Sequence, residues 1–168
     1  MMTITGFPPA GGCTTFSNII KKIPIPTARA LLIYIGNGIK FTKKSNFENN
    51  SLKLLKKNNI DILCLAGFMK ILSGNFIKKF SKPILNIHPS LLPKYKGLNT
   101  HERAIKNKDK FAGASIHKVT EKLDSGKVIL QKKVKILKSD NVRSLEKKVL
   151  KIEHEIYPKA IDKFLTNL

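Results

Sequence analysis

Apolar and polar positions switch between a helical and an alternating period along this chain, and the switches mark out short helices and strands. The first clear pattern begins at Phe47, where Leu52, Leu54 and Leu55 among lysines predict an amphipathic helix ending near Asn58-Asn59. Ile60 to Leu65, apolar but for Asp61, has the pattern of a parallel strand covered on both faces. Gly67-Phe68-Met69-Lys70-Ile71-Leu72 turns away from it, residues 74–80 predict a short helix, and a second buried strand spans 83–88. Asn99 followed by Glu102 signals a helix start, with the helix over 100–108. Residues 112–119 and 127–136 alternate and predict strands, with Asp124-Ser125-Gly126 as turn chemistry near the entry to the second. Ser139-Asp140 has the form of an N-cap. Leu145, Val149, Ile152 and Ile156 then line one face of a helix over 141–157, which Pro158 interrupts before a further turn or two from Ala160 to Leu165. This order of elements predicts an open α/β sheet, whose sites gather at the carboxyl ends of the strands.

The stretch before Phe47 is less regular. Residues 3–7 suggest a strand, Pro8-Pro9-Ala10-Gly11-Gly12 a loop, and Ser17-Asn18-Ile19-Ile20 a short helix that Pro24 and Pro26 end. Ala30-Leu31-Leu32-Ile33-Tyr34-Ile35 fits a strand or a helix. No internal repeat is present. At 168 residues a single domain, 1–168, is expected, one long enough to bury a core without disulfide or metal.

Charge changes the picture less than its size suggests. The formal net charge of +21 raises a nucleic-acid reading, yet among 32 basic residues only Arg29, Arg103 and Arg143 are arginine, the residue suited to bidentate recognition of phosphate and bases. The lysines are scattered over every segment, which predicts a solvated surface with no nucleic-acid footprint and a modest pull on anionic small molecules. Cys13 and Cys64 lack any zinc-site spacing, and Cys64 sits within an apolar run, so a packed, reduced thiol and a cytoplasmic location are expected. The start of the chain shows no signal-peptide pattern and no stretch approaches a membrane span, so no membrane partner is expected.

The run Asn86-Ile87-His88-Pro89-Ser90-Leu91-Leu92-Pro93 carries the strongest chemical signal. Side chains alternate along a strand, so Asn86 and His88 share a face where the strand gives way to a proline-bounded loop. An amide can hold a developing oxyanion while an imidazole moves a proton, a pairing suited to chemistry at a carbonyl. Such a histidine needs a group to orient and charge it. Asp124, one of 11 carboxylates, is the best candidate, although its spacing equally fits a turn former before Gly126.

The run Leu65 to Leu72, the run Asn86 to His101 (N-I-H-P-S-L-L-P-K-Y-K-G-L-N-T-H), Thr120 to Gly126 and Glu153-His154-Glu155-Ile156-Tyr157-Pro158 together resemble the phosphoribosylglycinamide formyltransferase family. The likeness runs from Phe47 to Pro158, while 1–46 diverges. It implies an open, mostly parallel, Rossmann-like sheet with helices on both faces. It also implies transfer of a formyl group from 10-formyltetrahydrofolate to the amine of glycinamide ribonucleotide, in purine biosynthesis, with no metal. The resemblance assigns Asn86, His88 and Asp124 as the catalytic trio. It places the folate at Lys44, Met69, Lys70, Ile71, Leu72, Asn86 and the loop Thr120, Glu121, Lys122, Leu123, Asp124. The ribonucleotide falls to Cys13, Thr14, Thr15 and Glu153. For Met69, Ile71 and Leu72 the plain alternative is core, and for Glu153 a solvated surface carboxylate.

The departures lie at the front. Gly11-Gly12-Cys13-Thr14-Thr15 stands where the family has a G-x-G-S-N phosphate loop, with Thr14 able to replace a serine hydroxyl and Cys13 in a glycine's place. The region 20–46 is also shorter than in the family. Lys127 replaces the usual proline after Gly126, and Asn99 stands where some members have histidine; both are tolerable. Two related enzymes that use the same folate carry an additional domain, C-terminal in one and N-terminal in the other, for which this chain offers no room. An impaired remnant, or a basic binding protein on the same fold, is the competing expectation. The partners implied are small molecules, acting on a monomer or homodimer.

Overall fold

The computed structural model describes Thr3–Ile4, Ala30–Tyr34 and residues 44–167. Its ordered elements are β1 (Thr3–Ile4), β2 (Ala30–Tyr34), α1 (Lys44–Lys57), β3 (Ile62–Ala66), α2 (Gly74–Phe80), β4 (Ile84–His88), α3 (Thr100–Lys106), β5 (Phe111–Lys118), β6 (Val128–Lys135) and α4 (Val142–Thr166). Contacts within the chain divide it into two compact units, one reaching to Asn86 and the other starting at Ile87, so the boundary falls inside β4.

In the first unit β1, β2, β3 and β4 lie side by side, all parallel, with Leu31 opposite Leu63 and Leu65 opposite Asn86. Every residue of β3 is buried, as its unbroken apolar run requires for a strand covered on both faces. Cys64 is among them, in agreement with a packed thiol. The ambiguous stretch at Ala30 is a strand, paired along its length with β3. Helix α1 begins at Lys44, earlier than its apolar pattern, and buries Phe47, Leu52 and Leu55. It packs on α2, whose Phe76 and Phe80 are buried. Ser73 caps α2 by accepting from the Phe76 amide, and the buried Glu48 carboxylate holds that cap through the Ser73 amide at 2.8 Å and hydroxyl at 2.6 Å.

In the second unit β5 and β6 form an antiparallel pair, with a register shift between Ile116 and His117. Helix α4 lies against both strands and against α3. Its buried face holds Leu145, Val149, Ile152, Ile156, Tyr157, Ala160 and Ile161, continuing the predicted stripe beyond Pro158. The expected break at Pro158 is absent, because buried side chains on both sides hold the helix together despite the missing amide donor. The cap of α4 is Asn141 rather than Ser139-Asp140: Asn141 and Ser144 exchange side-chain and backbone bonds as a capping box. Asp140 instead accepts from Lys148 and from the Leu137 amide. Asn99 precedes α3 but makes no capping bond, since its backbone is left-handed, with φ 56°.

The strands are mostly parallel and the sheet is open, with helices, as the alternation of elements predicts. Among the described residues no helix is long and apolar enough to cross a membrane. The fold's dependence on the α4 stripe is testable. Leu145→Ala should lower the unfolding free energy by about 2–5 kcal/mol in urea titrations, whereas Leu150→Ala on the exposed side of the same helix should change it by under about 0.5 kcal/mol.

Candidate active site

The second unit gathers its polar side chains where β4 ends. His88, the last residue of β4, is buried, and its ring is held from two sides. Nε2 lies 2.9 Å from the Tyr95 carbonyl, and Nδ1 lies 3.5 Å from Asp124 Oδ2. A carbonyl oxygen only accepts, so Nε2 carries a proton in this arrangement.

Asp124 is not a bare turn former. Its side chain is only 9% exposed, and its backbone is left-handed, with φ 43°. The Gly97 amide donates to Oδ2 at 2.9 Å, while Oδ1 lies 3.5 Å from Nε2 of His117. His117 is buried on β5, with Nδ1 3.2 Å from the Lys118 carbonyl. Each imidazole therefore faces one carbonyl and one carboxylate oxygen, an arrangement that a protonated ring satisfies in full. Burial pushes the Asp124 carboxyl up. The His117 imidazole, the Gly97 amide and the charge of both imidazoles outweigh this and hold it below the ordinary value of 3.8. The carboxylate is thus ionised at neutral pH.

Local backbone explains how these groups meet. Gly126 passes so close to Lys118 that a side chain there would collide with the Lys118 carbonyl, which lets the loop bearing Asp124 fold back over the end of β5. After His88, Ser90 donates to the Lys94 carbonyl at 2.6 Å, and Ser115 of β5 bridges the Ser90 carbonyl and the Leu92 amide. Ser115 and His117, two apart on β5, share a face. One fixes the loop after His88 and the other faces Asp124. Periodicity alone does not single out His117, although the alternation that pairs Asn86 with His88 applies equally to Ser115 and His117.

The other expected residues fall in several places. Asn86 is half-buried in β4 and opposite Leu65. Met69 and Ile71 are 72% and 57% exposed, which excludes the plain core reading for them, whereas Leu72 is buried. Lys70 is exposed, with its ammonium 5.1 Å from the centre of the Phe47 ring. Thr120, Glu121, Lys122 and Leu123 lie exposed on the loop that carries Asp124. Glu153 is half-buried on α4, not a solvated surface carboxylate: burial first, and the Glu146 charge second, push its carboxyl up to about 7. Lys44 opens α1, with its side chain outside the described residues, where Cys13, Thr14 and Thr15 also lie. Among the described residues no cluster of three or more His, Cys, Asp or Glu side chains is placed to hold a metal ion.

Residues 14–161 match the profile of the formyl transferase family. The chain is 43% identical over 128 residues to phosphoribosylglycinamide formyltransferase of Haemophilus influenzae, covering 72% of this chain and 60% of that protein. It is 42% identical over 121 residues to the human trifunctional purine biosynthetic protein adenosine-3, covering 72% of this chain and 12% of that one. The chain thus spans less than two thirds of either relative. Among solved structures, phosphoribosylglycinamide formyltransferase from Bacillus halodurans superposes with a TM-score of 0.80 at 29% identity, over 98% of this chain and 94% of that one.

The lowered pKa of Asp124 sets a pH signature. A carboxylate whose folded value lies below its ordinary one stabilises the fold fully above about pH 4 and loses that contribution as the pH falls through the folded value. Asp124→Asn should therefore be less stable than the unsubstituted chain at pH 6, and the gap should narrow below pH 4 in urea unfolding. A gap constant with pH would show that the charge contributes nothing.

Proposed function

The chain belongs to the formyl transferase family, and we propose that it moves a formyl group from 10-formyltetrahydrofolate to the amine of N1-(5-phospho-ribosyl)glycinamide in de novo purine (IMP) synthesis. The observation that carries this reading is His88 held against an ionised Asp124 at the end of β4, two residues beyond Asn86 on the same strand. The Haemophilus relative is a phosphoribosylglycinamide formyltransferase, which supports the choice of acceptor.

In this proposal the amine nitrogen attacks the formyl carbon. Asn86 donates to the oxygen that becomes negative, and a protonated His88 adds its charge beside it. Each such donor is worth about 3 kcal/mol in the transition state. The bond from carbon to the folate nitrogen then breaks, that nitrogen takes up the proton of His88 Nε2 as it leaves the Tyr95 carbonyl, and the amine returns one to the ring. Asp124 keeps His88 oriented and charged, with His117 and the Gly97 amide fixing the carboxylate in turn. The folate is assigned to Met69, Ile71 and Leu123, each of them exposed, and to Lys44, Lys70, Leu72, Thr120, Glu121 and Lys122. Glu153 serves the ribonucleotide, together with Cys13, Thr14 and Thr15. The exchange of substrates takes place in the cytoplasm, and the buried Cys64 suits a reducing compartment.

Incubating the purified chain with glycinamide ribonucleotide and 10-formyltetrahydrofolate, while following folate absorbance, should show turnover. Absence of turnover with both substrates bound would overturn the proposal and leave an impaired member of the family. His88→Ala should lower kcat by about 100-fold or more with little change in Tm. An equal loss of both would make His88 a structural residue.

A further inference from the structure

The ring of His88 is aimed by a carbonyl, and that carbonyl belongs to a residue in a conformation that side chains rarely adopt. Tyr95 has φ 56°, in the left-handed region. Nothing in the peptide bond alone favours this backbone, so surrounding ties must hold it. They converge on the tyrosine side chain. Its hydroxyl donates to Asp109 Oδ2 at 2.8 Å and accepts from Asn107 Nδ2 at 2.8 Å. The guanidinium of Arg103 stands 4.9 Å from the ring centre and also donates to the Lys96 carbonyl at 2.8 Å, just past Tyr95. Asp109 is fixed by Lys94 at 2.6 Å, its side chain 13% exposed. Burial pushes its carboxyl up, and the Lys94 and Tyr95 bonds more than offset that and hold it below the ordinary value of 3.8, so it accepts as a carboxylate.

We propose that Asp109 and the Tyr95 hydroxyl act as positioning residues: by anchoring Tyr95 from the turn between α3 and β5, they place its carbonyl to hold Nε2–H of His88 and leave Nδ1 facing Asp124. Neither touches substrate. The chain of contacts runs Asp109, Tyr95 hydroxyl, Tyr95 carbonyl, His88, with 2.8 Å and 2.9 Å at the two hydrogen bonds. It lies entirely within the second unit. His88 and Asp124 alone leave the ring free to tilt, since they are 3.5 Å apart, beyond a short hydrogen bond. The Tyr95 carbonyl removes that freedom, and with it the alternative tautomer.

The kinetic arm of the test rests on the transfer reading above; the spectroscopic arm does not. Tyr95→Phe keeps the ring and its cations while removing the hydroxyl, and Asp109→Ala removes the anchor. Each should lower kcat by about tenfold with KM for both substrates and Tm little changed. The double variant should be no worse than either alone, because one tie is broken twice. Asp109→Asn, which still offers an oxygen to the hydroxyl, should recover most of the loss. In the free protein, imidazole nitrogen-15 spectra should show the His88 Nε2 resonance displaced in Tyr95→Phe and Asp109→Ala and restored in Asp109→Asn. If the unsubstituted chain gives no turnover, the transfer reading fails and the spectra still decide. An unmoved His88 resonance in both variants would overturn the proposal, as would single losses that multiply in the double variant or that track Tm.

Discussion

A carboxylate taken out of water must be surrounded by donors, and the second unit of this protein is arranged around one such group. Asp124 receives an amide hydrogen from Gly97 on one oxygen and faces an imidazole on each. Removing a charge from solvent without partners costs several kcal/mol, so a site that buries one needs geometry from more than one segment. Here three segments supply it: the end of β4, the loop through Gly97 and the end of β5. The left-handed turn at Asp124 and the close pass of Gly126 over Lys118 are backbone features that make those contacts reachable. The chemistry proposed for His88 inherits its charge partner from this arrangement.

Positioning in this unit comes from backbone groups as much as from side chains. Ser115 ties the loop after His88 through one carbonyl and one amide, and Gln131 adds bonds to Ser115 and to the Leu92 carbonyl. The register shift between Ile116 and His117 falls beside the residue whose ring must turn toward Asp124, as bulges near sites commonly do. Strands thus carry His88 and His117, while tethered loops close around them. A site held in this way loses little entropy when a substrate arrives.

Periodicity made much of this legible. The buried runs at Ile62 and Ile84, the stripe from Leu145 to Ile156 and the shared face of Asn86 and His88 all follow from two spacings. What escaped was set by contacts distant in sequence. Pro158 reads as an interruption of the helix because propensity counts one missing hydrogen bond. The buried Tyr157, Ala160 and Ile161 outweigh it. Asn99 and Asp140 carry capping side chains, but a left-handed backbone diverts the first and a lysine the second. By spacing, Asp124 fits a turn former and a charge partner equally, because both need the same residue type; the positions of His88 and His117 separate them. Tyr95 lies inside the run that carries the resemblance, but the group it turns toward His88 is a backbone carbonyl, which residue type does not reveal.

The large positive charge shows why composition is a poor guide to a site. A chain of net charge +21 would, taken as a uniform field, favour ionisation of every carboxylate. Its buried carboxylates do not behave alike. Asp124 is held below 3.8 by neighbours that donate, while Glu153 is pushed up to about 7 by burial and by the nearby Glu146. Surface lysines act through water, where salt screens them beyond about 8 Å. Local donors and local desolvation act inside that distance, and they differ between the two sites. The protonation states that a formyl transfer would use are therefore set by a handful of neighbours, and the lysine excess can change greatly at the surface without disturbing them. The same reasoning bears on substrate capture. An anionic ligand feels the lysines on approach, but its final position depends on the few groups that lose their water around it.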